Sequence, residues 1–167
     1  TISDYAFNSC NSLANVTIGN SVVTIGDYAF YNTAIKTVPE NSADVIGKYA
    51  FANTFITSVT ISDGTVIGEG AFDQCKALAS VTIGDNVEIG KYAFRYNNNR
   101  SDYTSSYYTV DGTRIFYYIY KSPLKSLTIG KNANIGEAAF WFASELKSVT
   151  LGEGAIIGNY AFYTAAS

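Results

Sequence analysis

The sequence predicts a solenoid of short stacked coils, mainly β, each coil closed by a tight turn. One motif carries most of that reading. It runs TISDYAF from Thr1, TIGDYAF from Thr24, VIGKYAF from Val45, VIGEGAF from Val66, EIGKYAF from Glu88, NIGEAAF from Asn134 and IIGNYAF from Ile156. Its phenylalanines are Phe7, Phe30, Phe51, Phe72, Phe94, Phe140 and Phe162, at steps of 23, 21, 21, 22, 46 and 22 residues. At such a period each unit is one supersecondary element, and it buries an apolar face only by stacking on its neighbours. Short runs of alternating Val, Thr and Ile between the motifs supply the β character. Counting copies gives about seven coils.

Within a coil the first strand follows a leucine, as in KALASVTIG around Leu78, with counterparts at Leu13, Leu124 and Leu146. Val81 and Ile83 alternate there with Ser80 and Thr82, the period-two pattern of a half-buried strand. The second strand is the apolar pair before the motif glycine, such as Val66 and Ile67. Gly26, Gly47, Gly68, Gly90, Gly136 and Gly158 then read as bends that a β-carbon would resist. Only the first copy departs, with Ser3 in that slot. Tyr-Ala-Phe is expected to form a short helical or 3₁₀ turn that points the ring inward. In the second coil Pro39 removes a ladder donor, so a kink or missing strand is expected there.

All 167 residues read as a single solenoid domain. The chain opens inside one repeat and closes inside another, whereas solenoids normally end in polar capping units. It therefore reads as a fragment of a longer chain. The formal net charge is −3, with both signs scattered and no basic stripe, which argues against a nucleic-acid partner. Apolar runs are far too short to insert this segment into a membrane. Cys10 and Cys75 follow the motif phenylalanine by three residues, in a slot that elsewhere holds small residues such as Thr33 and Ala143. At about 4.8 Å per coil they stand roughly 14 Å apart, too far for a disulfide. Both read as small buried residues.

The pattern L-x-x-V-T-I, a short link, I-G-x-x-A-F and then a small residue resembles the BspA-like, Treponema-type leucine-rich repeats. The link is short here, as in SDGTVIG from Ser62. The resemblance implies a leucine-rich-repeat solenoid, curved and right-handed, with a sheet on its concave side. It also implies a bacterial or protist protein of the cell surface or secreted, engaged in adhesion. The partner class implied is a protein or glycan on a host or neighbouring cell.

The 46-residue step from Phe94 to Phe140 holds an insertion at about residues 98–121. Six of the fourteen tyrosines lie in it, namely Tyr103, Tyr107, Tyr108, Tyr117, Tyr118 and Tyr120, with Phe116 and Arg114 beside them. Asp111-Gly112 signals a two-residue hairpin turn. Pairing Val110 with Thr113 then sets Tyr108 against Ile115 on one face and Tyr107 against Phe116 on the other, so both faces are expected to be partly aromatic. A lone hairpin is marginal in water, so at least one face is expected to pack on the solenoid. The other face would be an aromatic binding patch. The alternative is a hairpin that only covers the flank.

The exposed strand columns form a second candidate surface: Thr17, Thr60, Thr82, Thr128 and Thr150, with Lys36, Lys125 and Lys147 further out. Half-buried strands favour Thr and Ser regardless of any ligand.

Catalytic residues are absent from the motifs. The chain has no histidine, nucleophile elbow, phosphate loop or calcium loop, so neither an enzyme nor a cofactor or metal site is expected. Asp27, Glu69 and Glu137 share one turn slot with Lys48 and Lys91, which reads as a solvated edge. The expected function is a non-enzymatic binding or adhesion module. A structural spacer with no ligand of its own is the alternative.

Overall fold

A computed structural model describes residues 1–19, 21–38, 43–95 and 122–163, together with the backbone of 103–110 and 113–120. The chain folds as a β-solenoid of about five turns, built of strands and hydrogen-bonded turns with no helix among the described residues. One wall is a six-stranded parallel sheet of two-residue strands. These are β1 (Thr24–Ile25), β2 (Val45–Ile46), β4 (Val66–Ile67), β6 (Glu88–Ile89), β10 (Asn134–Ile135) and β12 (Ile156–Ile157). The facing wall is a four-stranded parallel sheet of β3 (Ser58–Ile61), β5 (Ser80–Ile83), β9 (Ser126–Ile129) and β11 (Ser148–Leu151). A third, two-stranded sheet is the antiparallel hairpin β7 (Tyr103–Val110) and β8 (Thr113–Tyr120).

The count of about seven coils takes in end copies that carry less structure. Ile2 makes only an isolated bridge to Ile25. Neither 13–18 nor 36–38 is a strand, so the four-stranded sheet starts at Ser58. Pro39 itself lies outside the described residues.

The core is a column of phenylalanine rings. Phe7, Phe30, Phe51, Phe72, Phe94, Phe140 and Phe162 stack in order at 5.0–5.5 Å between centroids, within 9° of parallel. Alanines such as Ala71 and Ala93 and the isoleucines Ile46, Ile67 and Ile89 pack around them. Along β3 and β5, Val59, Ile61, Val81 and Ile83 face the core while Thr60 and Thr82 face solvent.

Two expectations about the turn are corrected. The Tyr-Ala-Phe segment is not helical. The alanine N–H bonds back to the glycine carbonyl three residues earlier, as in Ala50 to Gly47 at 3.3 Å. The N–H groups of Tyr49 and Phe51, however, donate to Glu69 and Ala71 of the next coil, so no helical ladder can propagate. The residue two after the glycine takes a left-handed φ, as at Tyr28 (56°), Tyr49 (52°) and Ala138 (52°). That is the geometry of a type II turn.

The motif glycine is needed for another reason. At Gly68 a β-carbon would lie 2.7 Å from the Gly47 carbonyl carbon and 2.7 Å from the Lys48 nitrogen. Gly47 and Gly90 meet the coil before them in the same way. The slot is glycine because successive backbones touch there. The bend belongs to the tyrosine.

Candidate interaction surface

The hairpin ladder runs in the register read from Asp111-Gly112. Val110 pairs with Thr113, Tyr108 with Ile115, Tyr107 with Phe116 and Tyr103 with Tyr120. Directly paired residues share a face and successive pairs alternate. One parity therefore collects Tyr103, Tyr107, Phe116, Tyr118 and Tyr120, with Arg114 at its turn end. The other collects Val110, Ile115 and Ile119 with Tyr108 and Tyr117. Aromatic and aliphatic positions are largely segregated. The side chains of these residues lie outside what is described, and so does the expected packing of one face on the solenoid.

The last described residue before the insertion and the first after it are Arg95 and Ser122. Before it, the Arg95 guanidinium donates to Asp73 through Nη2 at 2.9 Å and Nε at 3.4 Å, and lies 4.3 Å over the Tyr92 ring. Asp73 belongs to the preceding coil, and its side chain is only 4% exposed, against 23% for Arg95. Burial pushes the Asp73 carboxyl above the ordinary carboxylate range, and Arg95 opposes that push. After the hairpin, Ser122 is buried; its N–H donates to Oγ of Ser144 in the following coil at 3.1 Å. Its own Oγ accepts the Leu124 N–H at 3.3 Å.

On the four-stranded wall, Ser58, Ser80, Ser126 and Ser148 stand in register, as do Thr60, Thr82, Thr128 and Thr150. All four threonines are exposed. Lys125 and Lys147 are exposed on adjacent coils, joined by a Lys147 N–H to Lys125 carbonyl bond at 2.9 Å. Lys36 is exposed as well, and Thr17 is exposed but outside any strand.

The turn slot read as a solvated edge holds coils together. Asp27 accepts the Lys48 N–H at 2.7 Å, Asp4 accepts the Asp27 N–H at 2.8 Å, and Lys91 pairs with Glu137 at 2.9 Å. The Glu137 partner raises the Lys91 ammonium above its ordinary value.

A further aromatic flank was missed in the sequence, although the motif tyrosine slot signalled it. Tyr5, Tyr28 and Tyr49 stack at 5.1 and 5.2 Å, with Tyr31 edge-on to Tyr28. Toward the other end Trp141 gathers Tyr92, Phe142 and Tyr163.

The cysteines divide. Cys10 is exposed, contrary to expectation: among the described residues its coil stacks only on the one that follows it. Cys75 is buried, and its thiol is pushed up to about 12 by burial despite a 3.3 Å contact with the Thr54 hydroxyl. Among the described residues no group of three or more His, Cys, Asp or Glu lies together to hold a metal. Nor do the described residues form a helix long and apolar enough to cross a membrane.

The sequence matches the family model of the BspA type leucine rich repeat region, in six copies over residues 1–101 and 44–167. Among solved structures the fold is similar to a leucine-rich repeat protein from Bacteroides ovatus, with a TM-score of 0.64 at 22% identity. That similarity covers 95% of this chain and 42% of the other, so the chain spans less than half of that protein. At such identity the likeness carries the fold alone. No curated protein matches the sequence.

Proposed function

The chain belongs to the BspA-type leucine-rich repeat family, and from that membership we propose a non-enzymatic binding module of a cell-surface or secreted protein. Its ligand is a protein or glycan on a host or neighbouring cell. Contact runs through the aromatic parity of the hairpin (Tyr103, Tyr107, Phe116, Tyr118, Tyr120 and Arg114), with Tyr108 and Tyr117 on the opposite parity. Lys125 and Lys147 extend the surface along the four-stranded wall. The segregation of aromatic from aliphatic positions along the hairpin ladder carries this reading. An aliphatic face suits a protein flank, whereas Tyr, Phe and Arg are the side chains that dominate binding hot spots.

The test is a glycan and matrix-protein array probed with the intact chain and with a variant lacking residues 98–121. Binding by the intact chain that disappears on deletion, with circular dichroism unchanged, is the expected result. Equal binding by both proteins would refute the role of the hairpin.

A second reading, a spacer that projects another domain, is favoured by the unbroken phenylalanine column. The seven stacked rings, 5.0–5.5 Å apart, give roughly 30 Å of stiff reach. Silence across the array for the intact chain favours that reading.

A further inference from the structure

Stacking brings like positions of successive coils together, so a charged side chain has the residues above and below it as its nearest neighbours. Among the described residues, stacked charges use those neighbours in two ways. The turn slot runs Lys48, Glu69, Lys91, Glu137, alternating in sign, and Lys91 reaches Glu137 at 2.9 Å. Arg95 lies against Asp73 in the same manner. Where two carboxylates adjoin, as at Asp4 and Asp27 or Asp63 and Asp85, the first accepts the backbone N–H of the second at 2.8 Å.

Lys125 and Lys147 do neither. They share a column, fixed by the Lys147 N–H to Lys125 carbonyl bond at 2.9 Å and the Lys125 N–H to Ala79 carbonyl bond at 3.0 Å. Both are exposed, and neither ammonium has a carboxylate partner among the described residues. Like charges directly across a ladder, with strands about 4.8 Å apart, repel. The fold does not require them, since the same column holds Thr57 and Ala79 in the two preceding coils.

Each lysine opens the same short row. Lys125-Ser126-Leu127-Thr128 lies beside Lys147-Ser148-Val149-Thr150, with Ser126 paired to Ser148 and Thr128 to Thr150. The four hydroxyl residues are exposed, while Leu127 is buried in the core. At about 3.3 Å per residue the rows place four hydroxyls within about 10 Å of two cations. Unpaired ammonium groups call for an anion, and charge-assisted hydrogen bonds to sulfate or carboxylate are the strong ones. The neutral donors and acceptors beside them suit the hydroxyls of a sugar ring.

We propose that Lys125 and Lys147, with Ser126, Ser148, Thr128 and Thr150, form a subsite for an acidic glycan, whose sulfate or carboxylate group lies between the two ammonium groups. This subsite rests on the binding reading above and narrows its ligand to an acidic polysaccharide. A bound anion relieves the repulsion between the lysines, so part of the attraction comes from a cost already present in the free protein.

The measurement is biolayer interferometry of the intact chain against heparin (sulfate and carboxylate), hyaluronan (carboxylate alone) and dextran (neither). Heparin is expected to bind and dextran to be silent. Hyaluronan separates the two anions: binding shows that carboxylate suffices, and silence assigns the subsite to sulfate. Lys125→Gln and Lys147→Gln are each expected to weaken heparin binding about tenfold, the worth of one hydrogen bond to a charged group, with circular dichroism unchanged. Lys48→Gln removes an exposed lysine of another column and is expected to leave the affinity unchanged. In the free protein Lys147→Gln is expected to hold or raise the urea midpoint, because a repulsion is lost.

Silence with heparin overturns the subsite, as does dextran binding equal to that of heparin. So does a Lys125→Gln, Lys147→Gln double variant that binds as the intact chain does, or an equal loss in Lys48→Gln, which marks diffuse attraction. A lowered urea midpoint in Lys147→Gln places that lysine in the fold and counts against the subsite as well. An intact chain that binds proteins or neutral glycans on the array but not heparin ends the subsite and leaves the binding reading standing.

Discussion

Glycine serves this fold in separable ways, and an alanine series resolves them. At Gly68 the backbone has an ordinary φ, but an added β-carbon would meet Gly47 and Lys48 at 2.7 Å. Clearance to ordinary van der Waals contact requires the coils to part by several tenths of an ångström or more. The parting strains the bonds from Gly68 N–H to Ile46 (2.7 Å) and from Tyr49 N–H to Glu69 (2.9 Å). Overpacking costs about 1–3 kcal/mol, and each weakened hydrogen bond adds up to about 0.5–1.5 kcal/mol. Gly68→Ala is therefore expected to destabilise by about 2–6 kcal/mol.

Gly64 has φ +70° and open space around it, so Gly64→Ala carries only the left-handed strain, about 1–2 kcal/mol. Gly19 has neither constraint, and Gly19→Ala should stay within about 0.5 kcal/mol of the parent. Urea denaturation followed by circular dichroism, with the m-value checked for constancy, gives all three. The steric account fails if Gly68→Ala is no worse than Gly64→Ala.

Two further outcomes follow from the buried groups. A chromogenic disulfide reagent at pH 8 should titrate one thiol in the native chain and two in denaturant, because Cys10 is exposed whereas burial holds the Cys75 thiol near 12; two fast thiols in the native state would contradict the core assignment. Burial gives folded Asp73 a higher pKa than the unfolded chain, with Arg95 opposing, so its contribution to stability is complete below the unfolded carboxylate pKa and is lost as pH rises through the folded value. Asp73→Asn should flatten that part of the stability–pH curve, and an unchanged slope would show that Asp73 is not its source.

What the sequence revealed was whatever repeats or has a local turn signature. The phenylalanine column and the alternation of Val81 and Ile83 with Ser80 and Thr82 follow from period alone. The hairpin register follows from two turn residues. Interactions between coils were harder to see, because they join residues 20–47 positions apart. The glycine slot looks like a bend until the neighbouring backbone is in place. The turn looks helical until Tyr49 and Phe51 are seen to donate upward instead of backward. Column alignment did hold a signal for the ion pairs. Asp73 and Arg95 occupy one slot in consecutive coils, as do Lys91 and Glu137. Opposite charges stacked in one column of a solenoid should be read as a bond.

The same inter-coil logic says where specificity can be added at least cost. A change in a stacked column must suit the coil below and the coil above, so the glycine, alanine and phenylalanine slots have almost no freedom. An insertion escapes that constraint if the column closes around it. Here it does: Phe94 and Phe140, 46 residues apart in sequence, stack at 5.0 Å and 2°, the tightest of the phenylalanine pairs. Lengthening a connection costs little, about 0.6 kcal/mol per doubling. The core therefore does not register the extra residues, while the surface gains a large aromatic element. A solenoid whose coils are nearly alike can acquire a distinct recognition feature most cheaply at such a place.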